Sequence, residues 1–411
     1  AGGVGGSVGV VASAGAQQGS SSGVFSYDGA SVSSAEGSNI ASTGGMRVSV
    51  SGSGFGADDT SVGVRVGGSV CLVSEWSSYS SVQCVSGGGI GGGVAAVVTV
   101  DRQSGSGDGL VSYDIGVVSS GVALNFASSG AGGVSVVGTQ YGVEDVSGGV
   151  RVGGSACGSS EWTSDSALLC QVEPGVGSLL GVAVSVDMLS GTGTRVFSYD
   201  RPRVTHVNPA NVAITGGGTV YVYGSHFGAE DYGAVVSIGE TMCSATTYTT
   251  NTFLQCTVAA GVGGGLSLRV SVGGQVGSKE GAMSYDSPRV TGVSSAVVQT
   301  TGQHGVSVYG SNYGVSDSSA SVRVGVSACE GGAWMSASSV KCAPGGGVGG
   351  SLSVVVSVGR QEGTEAVLVS YSYPGPSGVV GDNGATSGGS VVSVVGGSFG
   401  DVDSSVSVRV G

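Results

Sequence analysis

Charged residues are scarce in this chain: they make up 10% of its 411 residues, and lysine occurs only twice, at Lys279 and Lys341. Soluble domains average about 25% charged residues. The few charges are also unbalanced, because 14 basic residues stand against 27 acidic ones and give a net charge of −13. Nucleic acid and anionic lipid both need a basic surface, so we expect neither as a partner.

Long apolar runs and helix formers are also missing. No run of 18 apolar residues occurs, and we therefore expect no segment inserted in a membrane. Leucine occurs 13 times, whereas valine, serine and glycine fill most positions, with glycine alone at 84 residues. Valine is β-branched and favours strands. Because the hydrophobic share of 40% exceeds that of disordered chains, the composition predicts an all-β protein with enough valine for a core.

A strict internal repeat organises the chain. Equivalent aromatic and cysteine residues recur every 86 residues without insertion or deletion, as Tyr27, Tyr113, Tyr199, Tyr285 and Tyr371 show. The period predicts four complete units, 29–114, 115–200, 201–286 and 287–372. Residues 1–28 match 87–114 in phase and are interpreted as the C-terminal part of a preceding unit, and residues 373–411 as the N-terminal part of a further unit.

The two terminal pieces complement each other within the repeat. One hypothesis is that the chain is a window cut from a longer array. The other is that the tail of one molecule completes the head of the next by strand addition. We favour the window, and both hypotheses imply a linear polymer or a long stalk.

Apolar residues alternate with small polar ones within each unit. Leu266, Leu268, Val270 and Val272 are separated by single polar residues, for example. This period of two is typical of strands with one buried face. About seven such strands separated by glycine-rich turns fit into 86 residues, which is the size of an immunoglobulin-like sandwich.

The cysteines occur two per repeat, 13 positions apart. The simplest pairing joins Cys71 to Cys84, Cys157 to Cys170, Cys243 to Cys256 and Cys329 to Cys342. A zinc site is the alternative, but zinc needs four ligands and no histidine recurs with these pairs. We therefore expect disulfides, which persist in an oxidising, extracellular or cell-surface compartment.

One unit carries a recognisable set of motifs. It begins with Pro202-Arg203-Val204-Thr205 and continues through Gly216-Gly217-Gly218-Thr219-Val220-Tyr221-Val222 and Gly224-Ser225-His226-Phe227-Gly228. The preceding unit closes on Phe197-Ser198-Tyr199, which continues the pattern. This pattern resembles the IPT/TIG domain, an immunoglobulin-like module. The resemblance covers the whole chain in repeated form, and it implies a tandem array of sandwiches with a spacer or adhesion role but no chemistry.

Residues suited to catalysis are few. The three histidines, His206, His226 and His304, do not recur between units and are interpreted as surface or packing residues. The glycine-rich segment 87–93 could be mistaken for a phosphate cradle, but no helix follows it, so we interpret it as a connection between strands. We expect no enzyme activity, no cofactor and no metal.

Two recurring features leave alternatives open. Asp59, Asp145, Asp231, Asp317 and Asp403 follow the Phe/Tyr-Gly turn, where capping of an Asx-type turn is favoured over calcium binding. Trp76, Trp162 and Trp334, with Tyr248 in the fourth unit, follow the first cysteine by five residues. Such a ring either stacks on sugar or a neighbouring chain, or covers the disulfide.

Glycosylation is expected to be O-linked if present. None of the seven asparagines lies in an Asn-x-Ser/Thr acceptor, whereas hydroxyl residues cluster, as at Thr246, Thr247, Thr249, Thr250 and Thr252.

The sequence thus favours a structural extracellular protein whose modules form a rod that self-associates into a fibre. A stalk of a cell-surface adhesin or receptor is the alternative, and a carbohydrate-binding accessory region of a secreted enzyme is the third hypothesis.

Overall fold

A computed structural model describes residues 2–411 except Ser38, Thr60, Ala123, Leu124, Ala131, Val146, Ser147, Asp382, Val402, Asp403 and Ser404. All regular secondary structure in these described residues is β-strand. The chain divides into two compact units, 1–201 and 202–411, which are considered separately. The all-β prediction is confirmed.

The first unit contains one hairpin and two sandwiches. The hairpin pairs β1 (Val8–Ala14) with β2 (Gln17–Phe25). Module 29–114 contains β3 (Ser31–Glu36), β4 (Asn39–Ile40), β5 (Arg47–Ser53), β6 (Gly63–Val66), β7 (Ser69–Val70), β8 (Val73–Ser78), β9 (Ser81–Val85), β10 (Val94–Val100) and β11 (Gln103–Tyr113). Module 115–200 contains β12 (Val117–Val122), β13 (Asn125–Phe126), β14 (Gly132–Thr139), β15 (Gly149–Val152), β16 (Ser155–Ala156), β17 (Ser159–Ser164), β18 (Ala167–Val172), β19 (Leu180–Val186) and β20 (Leu189–Tyr199).

The second unit repeats this arrangement. Module 201–286 contains β21 (Arg203–Asn208), β22 (Asn211–Val212), β23 (Thr219–Ser225), β24 (Val235–Ile238), β25 (Thr241–Met242), β26 (Ala245–Thr250), β27 (Phe253–Thr257), β28 (Leu266–Val272) and β29 (Gln275–Tyr285). Module 287–372 contains β30 (Arg289–Val293), β31 (Val297–Val298), β32 (Val306–Ser311), β33 (Ser321–Val324), β34 (Ser327–Ser336), β35 (Ser339–Pro344), β36 (Leu352–Val358) and β37 (Gln361–Tyr371). The strands β38 (Gly375–Val380) and β39 (Ser393–Gly397) then form a hairpin.

Each of the first three modules is built from a four-stranded and a five-stranded sheet. In module 29–114 their strand orders are β3-β5-β9-β8 and β4-β11-β10-β6-β7, and modules 115–200 and 201–286 repeat both orders. The two-residue strand β4 runs parallel to β11. The sequence predicts about seven strands, whereas the described residues of module 29–114 form nine. The difference lies in the short pairings β4 and β7, which are too brief to show an alternating pattern.

Module 287–372 differs in one respect. Its strand β34 runs without interruption past Cys329 and pairs with both β33 and β35. The two sheets are therefore joined into one eight-stranded sheet with the order β30-β32-β35-β34-β33-β36-β37-β31.

Valine side chains from the two sheets meet in each core. In module 29–114, Val48, Val50 and Val82 of one sheet are buried with Val64 and Val98 of the other. The residues between them on the strands face solvent, as the alternating burial of β6 shows. Burying one such side chain contributes about 1.5 to 3 kcal/mol, so the immunoglobulin-like sandwich follows directly from the period-two pattern.

Two aromatic positions of the repeat lie in the core. The turn aromatics Phe55, Tyr141, Phe227 and Tyr313 are fully buried. The closing tyrosines are buried too, and their hydroxyls donate to carbonyl oxygens 26 residues earlier: Tyr113 to Gly87, Tyr199 to Glu173, Tyr285 to Ala259 and Tyr371 to Gly345, at 3.4, 2.7, 2.9 and 2.8 Å. These bonds hold the last strand against the loop that precedes β10 or its equivalent.

Each module contains one disulfide, which in the first three modules lies where the chain crosses between the two sheets. Cys71 lies between β7 of the five-stranded sheet and β8 of the four-stranded sheet, and it is bonded to Cys84 on β9. Their Cα atoms are 5.7 Å apart, within the usual range. The same bond joins Cys157 to Cys170, Cys243 to Cys256 and Cys329 to Cys342. The crossing of the chain from one sheet to the other is thereby closed covalently.

Reducing the disulfides is expected to destabilise every module. Each bond closes a loop across 13 residues, which corresponds to about 3 kcal/mol of stability in the chain-entropy account. Calorimetry with and without reductant measures this as a lower melting temperature. A melting profile that reductant leaves unchanged would contradict the structural role given to these bonds.

The buried hydroxyls of Tyr313 and Tyr285 are expected to contribute differently to the free energy of unfolding. Burial raises the pKa of Tyr313 to about 12, and within the described residues its hydroxyl has no hydrogen-bond partner, whereas that of Tyr285 donates to Ala259. Tyr313→Phe is expected to leave the free energy of unfolding unchanged or higher, and Tyr285→Phe to lower it by about 1 kcal/mol. Urea titration of both variants checks this, and an equal loss in both would contradict it.

Candidate functional site: the junction between modules

The loop that precedes β10 and its equivalents places one apolar residue in each junction. Val4, Ile90 and Val262 occupy the same position of the repeat. Val4 packs against the buried core of module 29–114, Ile90 against that of module 115–200 and Val262 against that of module 287–372. Each of these loops therefore contributes a side chain to the core of the module that follows it.

The next residue of the loop is a glycine that the following module approaches closely. Gly91 has φ of +108°, and a Cβ built on it would lie 2.6 Å from Oδ2 of Asp187, in the turn between β19 and β20. Gly263 has φ of +118° and meets the equivalent turn at Gly359, whose own Cβ would lie 2.7 Å from the Cα of Gly263. Both loop glycines have a backbone angle that favours glycine. The contact itself requires glycine at Gly359, whose Cβ would meet backbone, whereas at Gly91 the Asp187 carboxylate would have to move.

Polar contacts complete the junction between modules 29–114 and 115–200. Ser42, which is fully buried, donates its backbone N–H to Oε1 of Gln140 at 2.7 Å and its hydroxyl to Oδ1 of Asp165 at 2.6 Å. Asp165 also accepts from the backbone N–H of Gly142 at 2.9 Å. Hydrogen bonds to a charged carboxylate are among the stronger ones. The two modules thus share a hydrogen-bonded network as well as an apolar contact.

A glutamine performs the polar role at two other junctions. Gln103 donates its Nε2 to the carbonyl of Tyr27 at 3.1 Å, and Gln361 donates to the carbonyl of Tyr285 at 3.0 Å. At the equivalent position of module 115–200 stands Leu189, which lies against Gly92 instead. Beside the junction, Asn312 donates its Nδ2 to the carbonyl of Ser287 of the same module at 2.9 Å. The apolar contact is constant among these junctions, while the polar contacts vary.

The remaining space at the junction between modules 29–114 and 115–200 is small. A cavity of about 160 Å³ is lined by Ser69, Ile90, Tyr113, Val143 and Glu144 among others. Binding sites for small molecules usually measure about 300 to 1,000 Å³. Burial raises the pKa of Tyr113, which a hydrogen bond with Ser69 partly offsets, so the phenol stays neutral. The geometry suits a mechanical joint between two domains.

The structure also places the residues for which the sequence left alternatives. Trp76, Trp162 and Trp334 are half-buried and pack against the cores of their own modules. Asp231 and Asp317 accept bonds from the N–H groups two residues later, at 2.9 and 3.0 Å. Those two aspartates cap Asx-type turns, as the sequence favoured, while Asp403 lies outside the described residues.

Sequence reasoning identified the glycine-rich loop as a strand connection but missed its role as a joint. The network of Ser42, Gln140 and Asp165 was missed as well, because these residues are far apart in sequence and do not recur in every unit. The recurrence of an apolar residue within a glycine-rich loop was the available signal. Within the described residues no helix is long and apolar enough to cross a membrane, and no cluster of three metal-ligating side chains occurs.

Comparison with known proteins agrees with the sandwich architecture. The sequence profile of the IPT/TIG domain matches residues 30–113, 202–285 and 288–373. Residues 115–200 between them have the same period and the same two-sheet topology. Mouse (Mus musculus) Fibrocystin-L is 26% identical over 229 residues, which cover 54% of this chain and 5% of that protein. The chain therefore spans only a small part of this relative.

Solved structures show distant similarity. The extracellular region of plexin A4 is 17% identical, with 81% of this chain and 30% of that chain covered and a TM-score of 0.23. The ICAM-5 D1–D4 ectodomain is 11% identical, with 84% and 100% covered and a TM-score of 0.22. The surface glycan-binding protein PbSGBP-B from Prevotella bryantii is 11% identical, with 40% and 41% covered and a TM-score of 0.31.

Enlarging Gly91 is expected to open the joint that this residue forms. Gly91→Ala places a methyl group against Asp187, so segments 87–93 and 187–190 are expected to exchange backbone amide hydrogens faster. Gly109→Ala is the matched control, because Gly109 also has positive φ, +71°, but nothing lies within 4 Å of its Cβ position. Hydrogen-exchange mass spectrometry measures both. Equal exchange in these segments of the two variants would show that the joint does not depend on the close approach.

Proposed function

The chain belongs to the IPT/TIG domain family, and from this membership we propose that its modules form a rigid extracellular rod that self-associates into a filament or surface appendage. The chain is a tandem IPT/TIG protein of the extracellular or cell-surface kind, and its four disulfides fit an oxidising compartment. Family membership implies no chemistry, so the proposal includes no enzymatic activity.

The observation that carries the proposal is the packing of the partly buried side chains of Ile90 and Val262 against the core of the following module. Two domains connected only by a flexible linker move independently. An apolar contact between the loop of one module and the core of the next opposes that freedom, because separating them exposes apolar surface. Repeated joints of this kind would give a stiff array whose properties scale with the number of modules.

Lateral association is supported by the character of the sheet surfaces. The chain has few charges, with 10% charged residues, and the outer strands β8 and β17 end four-stranded sheets. Such edges readily pair with other strands unless they are protected. O-linked glycans would protect such edges, and the exposed hydroxyls of Thr249 and Thr250 on β26, the equivalent edge strand of module 201–286, are candidate acceptors. Glycans would thus limit association to specific faces.

A stalk of an adhesin or receptor is the second candidate function. It is favoured by the relationship with Fibrocystin-L, since the matched residues form 5% of that protein, as expected for a repeated spacer within a long chain. Electron microscopy of native material separates the two candidates. Regular fibres with an axial repeat support the filament, whereas isolated single stalks would overturn self-association and leave the spacer role.

Removing the shared side chains is expected to make the array flexible. The double variant Ile90→Ser and Val262→Ser replaces the apolar side chain at two joints with a small polar one. Full burial of such a side chain contributes roughly 1.5 to 3 kcal/mol, and these partly buried residues contribute less. Electron micrographs are expected to show a wider spread of angles between consecutive modules. Val326→Ser is the control, because Val326 is 98% exposed. An unchanged spread of angles in the double variant would contradict the rigid rod.

A further inference from the structure

A row of aromatic rings lies on the solvent face of the four-stranded sheet in module 201–286. The row consists of His206 on β21, Tyr221 and Tyr223 on β23, and Phe253 on β27, and is called the aromatic row. Strand register places His206 opposite Tyr223, and Tyr223 opposite Phe253. Because neighbouring strands are about 4.8 Å apart, three strands spread these rings over about 10 Å.

The rings are close together, with one stacked pair and two tilted pairs. The centroids of His206 and Tyr223 are 5.8 Å apart with 30° between the ring planes. Those of Tyr223 and Phe253 are 5.0 Å apart at 38°, and those of Tyr221 and Phe253 are 5.8 Å apart at 23°. Tyr221 and Tyr223 remain 37% and 38% exposed. The row therefore presents two partly exposed tyrosine rings to solvent, supported by the half-buried ring of Phe253.

The fold does not need this row. Core packing in module 201–286 is carried by the opposite face, where Val220, Val222 and Leu254 are fully buried. In module 29–114 the positions of Tyr221, Tyr223 and Phe253 are occupied by Ser49, Ser51 and Ser81, and the sheet there has the same strand order. The aromatic residues are thus specific to one module, as expected for a local function.

The surroundings of the row are mostly uncharged, although Arg203, opposite Ser225 on β23, places one positive charge beside Tyr223. Thr219, Thr247 and Gln255 lie beside it on β23, β26 and β27, with Thr247 opposite Gln255. At the position of Thr247, modules 29–114 and 115–200 carry Glu75 and Glu161, and at the position of Gln255 module 287–372 carries Lys341. The face around the row offers hydroxyl and amide groups where its equivalents offer charges, and this complements a neutral, hydroxyl-rich ligand.

The exposed area of the aromatic row matches the size of a small ligand. An aromatic side chain has about 150 to 250 Å² of surface, so Tyr221 and Tyr223 at 37% and 38% exposure present roughly 60 to 90 Å² each. A stable interface with a second copy of the chain needs about 800 Å² per partner. The row is too small to carry such an interface by itself.

We propose that the aromatic row is a binding site for a neutral oligosaccharide. The C–H groups on the flat face of a sugar ring carry partial positive charge and stack on the negative face of an aromatic ring. The hydroxyl groups at the sugar's edge meet Thr219, Thr247 and Gln255. The site binds and does not react, and it is independent of the tryptophans, which face their own cores.

Calorimetric titration of the full chain tests the site with four neutral hexasaccharides: cellohexaose, maltohexaose, xylohexaose and mannohexaose. At least one is expected to bind. Tyr223→Ser, which introduces the residue found at Ser51, is expected to weaken that binding about tenfold, the equivalent of one stacking contact. Tyr223→Phe is expected to retain binding, because it keeps the ring.

Tyr309→Ser is the matched control. Tyr309 occupies the same position in module 287–372, where Ser307 and Ser339 stand in place of the other rings, so its loss is expected to leave binding unchanged. Three results would overturn the proposal: failure of all four sugars to bind, equal weakening by Tyr309→Ser, or a lower melting temperature in Tyr223→Ser with unchanged binding. Self-association in sedimentation velocity that Tyr223→Ser abolishes would also overturn it, since it would identify a second copy as the occupant.

Discussion

Burial of valine between two small sheets is the interaction on which this protein depends. A sandwich of about 86 residues has little interior, and side chains such as Val48, Val82 and Val98 supply most of it. Other devices add to this limited core. A disulfide closes the crossing between the sheets, and a closing tyrosine fastens the last strand to the loop before β10 or its equivalent. The solvent faces of the strands are consequently free to vary.

The same core explains how modules connect. Because each core is thin and open at one end, an apolar residue from the preceding loop can complete it, as Ile90 does for module 115–200. Glycine at position 91 allows the approach, and polar contacts such as that between Ser42 and Asp165 add to it. Because the contact between modules involves the core, the stability of a module is linked to its attachment to the preceding one.

Variation on the solvent faces allows local functions within an otherwise uniform chain. Serine at positions 49, 51 and 81 of module 29–114 leaves a plain hydroxyl surface, whereas Tyr221, Tyr223 and Phe253 form a ring surface on the same scaffold. Both sets occupy outward positions of strands that keep their order in the sheet. A spacer module can therefore acquire a binding surface without repacking its core.

The sequence by itself determined the repeat, the strands and the cysteine pairs. These depend on local or periodic features: the 86-residue period, the alternation of valine with serine, and the separation of 13 residues between cysteines. Only the tertiary structure decided the inward direction of Trp162, the fusion of both sheets at β34, and the contact of Ser42 with Asp165. It also decided the meeting of His206, Tyr223 and Phe253. Alternation shows which residues share a face of one strand, but neighbours across strands depend on register, which arises from the packing of distant segments.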